Sequence, residues 1–289
     1  MKRFNIYIGL LLASVIVLAI VFDMAYTYVY NNGTHRNKLM WVREMNNQQV
    51  DFIVLGSSRA NNHIDPVQIH NATGKNGFNL GVNGFSAFES HLMLIQFLKK
   101  NKTKEVYVQV DSRYRQDEPD PIGSKVWLPF IYEDYIYNEF KSFGSEFKCY
   151  KQVPFYRYQK FESRLGYRDV VTSFMGKGFD YEPLSGYTPR YATLKEDKPY
   201  NRDKYIIQEN TQINKIIERC NKEGVEVFFF TSPIYRFEGD ITPLGKYLPN
   251  YHDFKDSIGE RKLFGDQVHL NAQGAAHFTD MFIDNYFKK

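Results

Sequence analysis

Three segments that lie far apart in the chain carry the side-chain types that catalyse acyl transfer through a serine. Ser58 follows Gly56 and Ser57 in a Gly-Ser-Ser-Arg stretch, and His269 follows Asp266 at a spacing of three residues. A serine hydroxyl needs a general base to become a nucleophile, and a histidine oriented by a carboxylate is the usual one. A serine of this stretch, Asp266 and His269 are therefore the candidate catalytic residues.

A glycine-containing block supplies candidate hydrogen-bond donors for the negative charge that develops on a substrate oxygen. It runs from 79 to 84 and ends in Asn83 and Gly84. Because Gly84 has no side chain, its backbone N–H can approach a substrate closely. We expect an oxyanion hole formed by the amides of Ser58 and Gly84, with Asn83 as a further candidate donor.

Arg59 and Ser112 are candidates for substrate binding. Arg59 follows Ser58 directly and could bind an anion or a glycan oxygen, but a salt bridge on a helix surface explains it equally well. Ser112 follows Asp111 at the end of a predicted strand, and Asp111 could pair with a nearby arginine. Five other histidines share no spacing, so we interpret them as non-catalytic: His63, His70, His91, His252 and His277.

Short apolar runs alternate with helical patterns around these candidates. Predicted strands cover 50–55, 78–82, 106–110 and 225–231, and predicted helices cover 38–45, 87–100, 205–220 and 272–287. This alternation predicts an α/β fold with a mostly parallel sheet. In such sheets ligands bind beyond the carboxyl ends of the strands, which is where the serine and glycine blocks begin.

The first 30 residues predict a membrane anchor. Residues 6–22 carry no charge, Lys2 and Arg3 precede them, and tyrosines follow. Seventeen residues is the lower limit for a spanning helix, and the basic flank predicts a cytoplasmic N-terminus with the rest of the chain outside. A cleaved signal peptide is the alternative, although 21–25 offers no small-residue cleavage pattern.

We expect three regions: 1–30 as cytoplasmic tip and transmembrane anchor, 31–49 as a stalk, and 50–289 as one large domain with a long insertion at 112–200. Of the 89 residues in 112–200, 21 are aromatic, which sets the insertion apart from the α/β pattern. These rings could stack on sugars or pack a core, and both interpretations stay open.

The composition argues against several classes of protein. The 37 basic and 33 acidic residues give a net charge of +4, far below the basic stripe of a nucleic-acid binder. No zinc, calcium or phosphate-loop motif is present, so we expect no metal and no cofactor. Cys149 and Cys220 are interpreted as two free thiols, with a single disulfide as the alternative.

The order of these blocks resembles the SGNH/GDSL hydrolase superfamily. The matching segments are Gly56-Ser57-Ser58, the 79–84 block, and Asp266-x-x-His269 followed by Leu270-Asn271-x-x-Gly274. The resemblance covers about 50–111 and 203–289, and it implies a flavodoxin-like three-layer α/β/α sandwich. It also implies that Ser58 is the nucleophile, that Gly84 is an oxyanion donor, and that Asp266 and His269 complete a triad.

One block departs from the family pattern. The family usually carries Gly-x-Asn-Asp after the third strand, and its asparagine supplies an oxyanion donor, whereas this chain reads Gln-Val-Asp-Ser-Arg over 109–113. Another donor must substitute, or the hole is weaker. Losing one such donor typically costs about 10²–10³-fold in rate.

The Gly-Ser-Ser-Arg block, the single anchor and the variable insertion are similar to membrane-anchored bacterial SGNH-like proteins. That subgroup is associated with membrane-bound O-acyltransferases that modify cell-envelope polysaccharides. The resemblance implies an extracytoplasmic serine-dependent esterase or O-acetyltransferase that acts on acyl groups of a surface glycan, with a carbohydrate or acyl donor as substrate. The alternative is a non-catalytic glycan-binding or scaffolding partner of a membrane acyltransferase.

Overall fold

The computed structural model describes residues 1–110, 114–200 and 208–288, and it contains two compact units. Unit 1 comprises Met1–Met40 and Ser124–Asp180, and unit 2 comprises Trp41–Gly123 and Tyr181–Lys289. The candidate residues Ser58, Asn83, Gly84, Asp266 and His269 all belong to unit 2. The substrate-binding candidate Ser112, with Asp111, lies outside the described residues.

Unit 2 is built on a five-stranded parallel sheet. Its strands are β1 (Gln49–Leu55), β2 (Gly77–Asn79), β3 (Lys102–Gln109), β4 (Glu226–Thr231) and β5 (Tyr251–Asp253). They lie in the order β2-β1-β3-β4-β5, and every neighbouring pair is parallel. This is the doubly wound order of flavodoxin-like proteins, in which the chain reverses direction across the sheet between β2 and β3.

The helices follow in chain order. The α-helices are α1 (Lys2–Asn32), α2 (Lys38–Glu44), α3 (Ser58–His63), α4 (Pro66–Thr73), α5 (Ala87–Leu98), α6 (Asp134–Phe140), α7 (Glu146–Gln152), α8 (Tyr156–Lys160), α9 (Glu162–Leu165), α10 (Tyr167–Phe174), α11 (Thr211–Glu223) and α12 (Ala272–Tyr286). 3₁₀ helices cover Gly123–Phe130, Thr242–Lys246 and Arg261–Leu263.

Helices cover both faces of the sheet, which confirms the predicted α/β/α sandwich. Phe52 and Val54 of β1 share a core with Ile69 of α4 and with Phe278 and Phe282 of α12. Side chains alternate between the faces of a strand, so the intervening residues of β1 face the layer formed by α5 and α11. Both faces of the central strands are apolar, as expected for a parallel sheet that is covered on both sides.

Unit 1 joins the long N-terminal helix to the aromatic-rich segment. In the described chain α1 is the helix long and apolar enough to cross a membrane, with a mean hydropathy of 2.6 over its most apolar window. Its last third packs against α8 and α10, where Tyr26 meets the Phe155 ring edge-on at 5.0 Å. Tyr158 stacks on Tyr30. Several aromatic residues of the predicted insertion therefore pack a core of their own.

The two cysteines do not pair. Cys149 is exposed on α7 and Cys220 is buried in α11, and both are free thiols. Burial raises the pKa of Cys220 to about 12. A protonated, buried thiol is a poor nucleophile. The candidate nucleophile in unit 2 is therefore a hydroxyl.

Candidate active site

The candidate nucleophile lies at a tight turn between β1 and α3. Gly56 has φ +136°, and a Cβ at this position would lie 2.8 Å from the Cβ of Gln109 on the neighbouring strand. Only glycine allows the chain to turn this closely beneath β3. Ser57 then caps α3, its hydroxyl accepting a hydrogen bond from the Arg59 amide, and Ser58 is the first residue of the helix.

The neighbouring serine has a different role. Ser57 Oγ donates to Gln109 Oε1 at 2.8 Å, so its proton is already engaged. Gln109 is the last residue of β3. Its amide nitrogen donates to the Val110 carbonyl. Ser57 and Gln109 thus join the ends of β1 and β3, which leaves Ser58 as the serine presented by the turn.

Ser58 and His269 are in direct contact although 211 positions separate them. Ser58 Oγ lies 2.6 Å from His269 Nε2, and His269 Nδ1 lies 2.8 and 2.9 Å from the two Asp266 carboxylate oxygens. Because an ionised carboxylate only accepts hydrogen bonds, the network places the ring proton on Nδ1. Nε2 then accepts the hydrogen bond of the Ser58 hydroxyl. The arrangement has the geometry that proton transfer from serine to histidine requires.

Asp266 is fixed by its own loop. Its Oδ1 also accepts the backbone N–H groups of Val268 and His269, at 3.0 and 2.9 Å. Burial raises the pKa of the Asp266 carboxyl, but the hydrogen bond and charge of His269, the Val268 amide and a nearby arginine outweigh it, so that pKa lies below its usual value. Asp266 therefore stays ionised at neutral pH, as an orienting carboxylate must.

Arg190 is that arginine, and it was not predicted from the sequence. Its guanidinium lies 3.0 Å from Asp266 Oδ2, on the carboxylate oxygen that the two loop amides leave free. The Arg190 carbonyl accepts the Ala272 amide at the start of α12. Arg190 thus binds both the carboxylate and the helix that follows the histidine, and it remains about one third exposed.

His63 is a second residue that the sequence analysis did not assign to the site. It ends α3, is fully buried, and its Nε2 accepts the backbone N–H of Leu270 at 3.0 Å. Its ring meets the His269 ring edge-on at 6.2 Å. Burial lowers the pKa of His63 well below its usual value, and nearby positive charge, first that of Arg59, lowers it further. His63 is therefore neutral and supports the loop that carries His269.

We expect His63 to make the protein less stable in acid. Below a pH of about 6.5 an unfolded chain binds a proton at this residue, whereas the native state does not. The free energy of unfolding therefore decreases as the pH is lowered, by up to about 1.4 kcal/mol per pH unit below about pH 6.5. Burial raises the pKa of Glu89 to about 7. Above the pKa of an unfolded glutamate, native Glu89 binds more protons than the unfolded chain does, so its contribution to the free energy of unfolding falls as the pH rises.

Comparison of the native chain with His63→Gln isolates the histidine, because Glu89 is common to both and Gln keeps an acceptor for the Leu270 amide. Denaturant unfolding between pH 5 and 8 should show the native chain losing stability relative to His63→Gln only on the acidic side. His63→Leu should be destabilised at every pH, by about 1–3 kcal/mol for the unpaired amide. Parallel pH profiles for the native chain and His63→Gln would contradict this prediction.

The loop that carries Gly84 is held by a buried carboxylate network. Glu89 accepts hydrogen bonds from the Ser86 amide and hydroxyl and from the Asp120 amide. Asp120 in turn accepts the amides of Ile122 and Gly123. Gly123 lies against Gly84, whose φ of +84° suits glycine. The backbone around the predicted oxyanion donor is therefore rigidly supported.

Asn83 is exposed beside Gly84 and oriented by a neighbour. Asn61 Nδ2 donates to Asn83 Oδ1 at 3.0 Å, and Asn61 Oδ1 accepts the Thr188 hydroxyl. Since the Asn83 carbonyl oxygen already accepts this bond, its amide nitrogen is the end that is available to donate. Asn61 was not predicted, because the contact joins residues 22 positions apart.

Arg59 is buried, and its guanidinium donates to the Ser232 carbonyl just after β4. It joins α3 to the β4 end, and its predicted role in substrate binding stays a prediction. Across residues 1–110, 114–200 and 208–288, no group of three or more His, Cys, Asp or Glu side chains is arranged to hold a metal ion.

Comparisons with known proteins give little further information. No protein-family model matches the chain, and no curated protein is significantly similar to it. A structure described as a platelet activating factor from Streptococcus pneumonia is 13% identical, with a TM-score of 0.34 over 97% of this chain and 99% of that one. A gut microbial diltiazem-metabolizing enzyme is also 13% identical, with a TM-score of 0.33 over 84% of this chain and 48% of that one.

At such scores these two likenesses carry no weight for function, and the site must be interpreted on its own geometry. Unit 2 is a parallel α/β sandwich in which a serine, a histidine and an aspartate form a continuous hydrogen-bonded chain. Ser58 follows the first strand, and His269 lies just before α12.

Proposed function

We propose that the protein is a serine-dependent esterase or O-acyltransferase that acts outside the cytoplasm on acyl groups, most simply acetyl groups, of a cell-envelope glycan. The observation that carries this proposal is the 2.6 Å contact between Ser58 Oγ and His269 Nε2, with Asp266 on the other ring nitrogen. The glycan and a membrane-bound O-acyltransferase partner are proposed from the resemblance to membrane-anchored SGNH-like proteins.

The proposed reaction has two steps. Ser58 Oγ attacks the acyl carbon while His269 Nε2 takes its proton, and Asp266 stabilises the resulting imidazolium. His269 then returns the proton to the leaving group. In the second step water or a sugar hydroxyl attacks the acyl carbon and gives its proton to His269 Nε2. The bond between the acyl carbon and Ser58 Oγ breaks, and His269 returns the proton to Ser58 Oγ. The catalytic residues are Ser58, Asp266 and His269.

The oxyanion is proposed to bind the backbone N–H groups of Ser58 and Gly84 and the amide nitrogen of Asn83. The Asn61 contact supports this role, because it orients the Asn83 amide with its donor end free. Asn83 would then replace the asparagine of the family's third block. Preorganised donors of this kind stabilise a transition state because they need no reorganisation during the reaction.

A covalent probe tests the proposal directly. A fluorophosphonate and an aryl acetate should each modify Ser58, and intact-mass and peptide analysis should place one phosphonyl or one acetyl group there. Ser57→Ala is the matched control: it removes the adjacent hydroxyl, which donates to Gln109, and should still be labelled.

Labelling should disappear in Ser58→Ala and in His269→Ala. Turnover of the aryl acetate should be slow in water and faster with a carbohydrate acceptor, since a positioned hydroxyl gains an entropic advantage over free water. If the native, folded chain is never labelled, the non-catalytic binding or scaffolding function becomes the better explanation.

We also propose that α1 is retained as a single-pass anchor with its N-terminus in the cytoplasm. Removal of a signal peptide near residue 22 would cut α1 just before Asp23, which pairs with the buried Arg157. The ring contact between Phe22 and Phe155 would be lost as well. The folding of unit 1 thus depends on residues that a signal peptidase would remove or leave at a frayed end.

The full-length protein should therefore stay in the membrane fraction after a high-salt wash, with its N-terminal peptide detectable by mass spectrometry. A soluble mature form that begins beyond residue 20 would contradict the anchor.

A further inference from the structure

Between α7 and α8 in unit 1, the chain forms an exposed apolar loop. Val153 and Tyr156 are 47% and 37% exposed, although Tyr150 and Tyr158 on either side are buried. The core of unit 1 therefore holds some apolar side chains, but Val153 and Tyr156 lie outside it. We define the apolar loop as residues 153–156, Val-Pro-Phe-Tyr.

The apolar loop is fastened to one level of α1. The Phe155 amide donates to Asp23 Oδ2 at 2.6 Å, and the Phe155 ring lies 5.6 Å from the Phe22 ring. Phe155 has φ +64°, a conformation that costs free energy in a non-glycine residue and persists only where the surroundings hold it. The position of the loop along the helix is thus fixed by contacts.

That level coincides with the expected boundary of a bilayer. From Phe4 to Phe22 the helix carries no charged residue, and at 1.5 Å per residue this run is about 28 Å long. The hydrocarbon core of a bilayer is about 30 Å thick. If Arg3 marks the cytoplasmic boundary, Asp23 and the apolar loop lie at the opposite one.

The residues around the loop suit a lipid interface. Tyr156 stacks on Tyr150, and Lys160 Nζ donates to the Tyr150 hydroxyl at 2.6 Å. Lys151, at the end of α7, pairs with the exposed Asp134. Amphipathic rings and long cationic side chains are enriched where hydrocarbon meets headgroups.

We propose that the apolar loop inserts into the lipid interface of the bilayer at the C-terminal end of the membrane-spanning part of α1. Unit 1 would then bind the membrane at two points, a spanning helix and a shallow loop. Two attachments restrict the tilt and rotation of unit 1, which a single helix would leave free. This inference rests on the proposed anchor.

Site-directed spin labelling of the full chain tests it. The protein is reconstituted in vesicles of phosphatidylethanolamine and phosphatidylglycerol, in a Cys149→Ser background where the remaining Cys220 is fully buried. Labels at Val153→Cys and, independently, Tyr156→Cys are compared for collision with oxygen, which concentrates in lipid, and with a water-soluble nickel chelate.

Two matched labels make the outcomes distinguishable. Phe174→Cys is also exposed in unit 1, but it adjoins Ser173, which is bonded to Thr34, more than two helical turns beyond Asp23. Ile16→Cys lies within the uncharged run and reports the anchor alone. We expect the oxygen-to-nickel ratio to be highest at 16, intermediate at 153 and 156, and several-fold lower at 174.

A high ratio at 16 with equally low ratios at 153, 156 and 174 would overturn the loop insertion and leave the anchor intact. A low ratio at 16 would overturn the anchor itself, and the insertion with it. Agreement between the two loop labels excludes a local misfolding caused by either substitution.

Discussion

Ser58→Ala and His269→Ala are each expected to lower the rate of acyl transfer by about 10⁴-fold or more, because the nucleophile and its base act only together. The basis is the direct hydrogen bond between Ser58 Oγ and His269 Nε2. Once either residue is missing, the other has no proton to take or to give. The double variant should therefore be little worse than either single one.

Asp266→Asn should be the milder lesion, since serine and histidine remain and the asparagine oxygen can still accept the Val268 and His269 amides. The measurement is kcat/KM for an aryl acetate, with circular dichroism to show that each variant is folded. Additive losses in the double variant would mean that Ser58 and His269 act in separate steps. Full activity in a folded Ser58→Ala variant would exclude Ser58 as the nucleophile.

The sheet could be predicted from sequence because its central strands contain short apolar runs, at 52–55, 106–108 and 227–230. β1, β3 and β4 are covered by helices on both faces, so burial leaves a strong signal in the residue types. β5 was not predicted, since it is three residues long and its residues are partly exposed. Short edge strands have too few buried positions to show a pattern.

Asn79 shows why β2 is shorter than predicted. The apolar pattern continues to 82, but the strand ends at Asn79. The Asn79 amide donates to the carbonyls of Ala60 and Ile64 and accepts the Gly81 amide. These side-chain bonds turn the backbone out of the sheet.

The helices α3 and α4 were also missed. α3 is six residues long and mostly polar, so it has no apolar period to detect. α4 carried a signal that could have revealed it: Asp65 caps its start before Pro66, and Gly74 ends it in a left-handed conformation. The predicted helix at 205–220 is observed from Thr211 to Glu223, capped by Asn210, and 205–207 lie outside the described residues.

The residues of the candidate site likewise divide into those that the sequence predicts and those that only the folded structure reveals. Residue types and spacing, with the resemblance that selects Ser58 over Ser57, were enough to name Ser58, Asp266 and His269 as candidates, because a triad needs particular side chains. Arg190 and His63 act by position: one lies against a carboxylate 76 positions away, and the other accepts an amide 207 positions away. An arginine or a histidine of this kind is indistinguishable from any other until the chain is folded.

Replacing Arg157 is expected to cost about 3–5 kcal/mol of stability in unit 1, the usual cost of leaving a buried charge without its partner. Arg157 is 4% exposed, and its two terminal nitrogens donate to the two Asp23 oxygens at 2.8 and 3.0 Å. The nitrogen that donates to Asp23 Oδ1 also donates to the Thr27 hydroxyl. Arg157→Met would leave the Asp23 carboxylate without its cation, although the Phe155 amide still donates to it.

Two further variants show whether the pairing causes the loss. Asp23→Leu combined with Arg157→Met removes both charges and should recover most of the stability, because an apolar pair can replace a buried ion pair at little cost. Asp134→Asn breaks the exposed pair with Lys151 in the same unit and should leave thermal unfolding in detergent unchanged. A loss in Arg157→Met that the double variant does not recover would point to lost packing against Tyr158 instead.

The same measurement shows how far α1 belongs to unit 1. Whether α1 is retained is measured separately, by the membrane fraction and the N-terminal peptide, because cleavage near residue 22 would leave Asp23 in the chain. If Arg157→Met is as stable as the native chain, Asp23 does not hold unit 1 together. If Arg157→Met unfolds unit 1 while the double variant keeps it folded, the end of α1 from Asp23 onward is an integral part of that unit, held by a pair that joins residues 134 positions apart in the sequence.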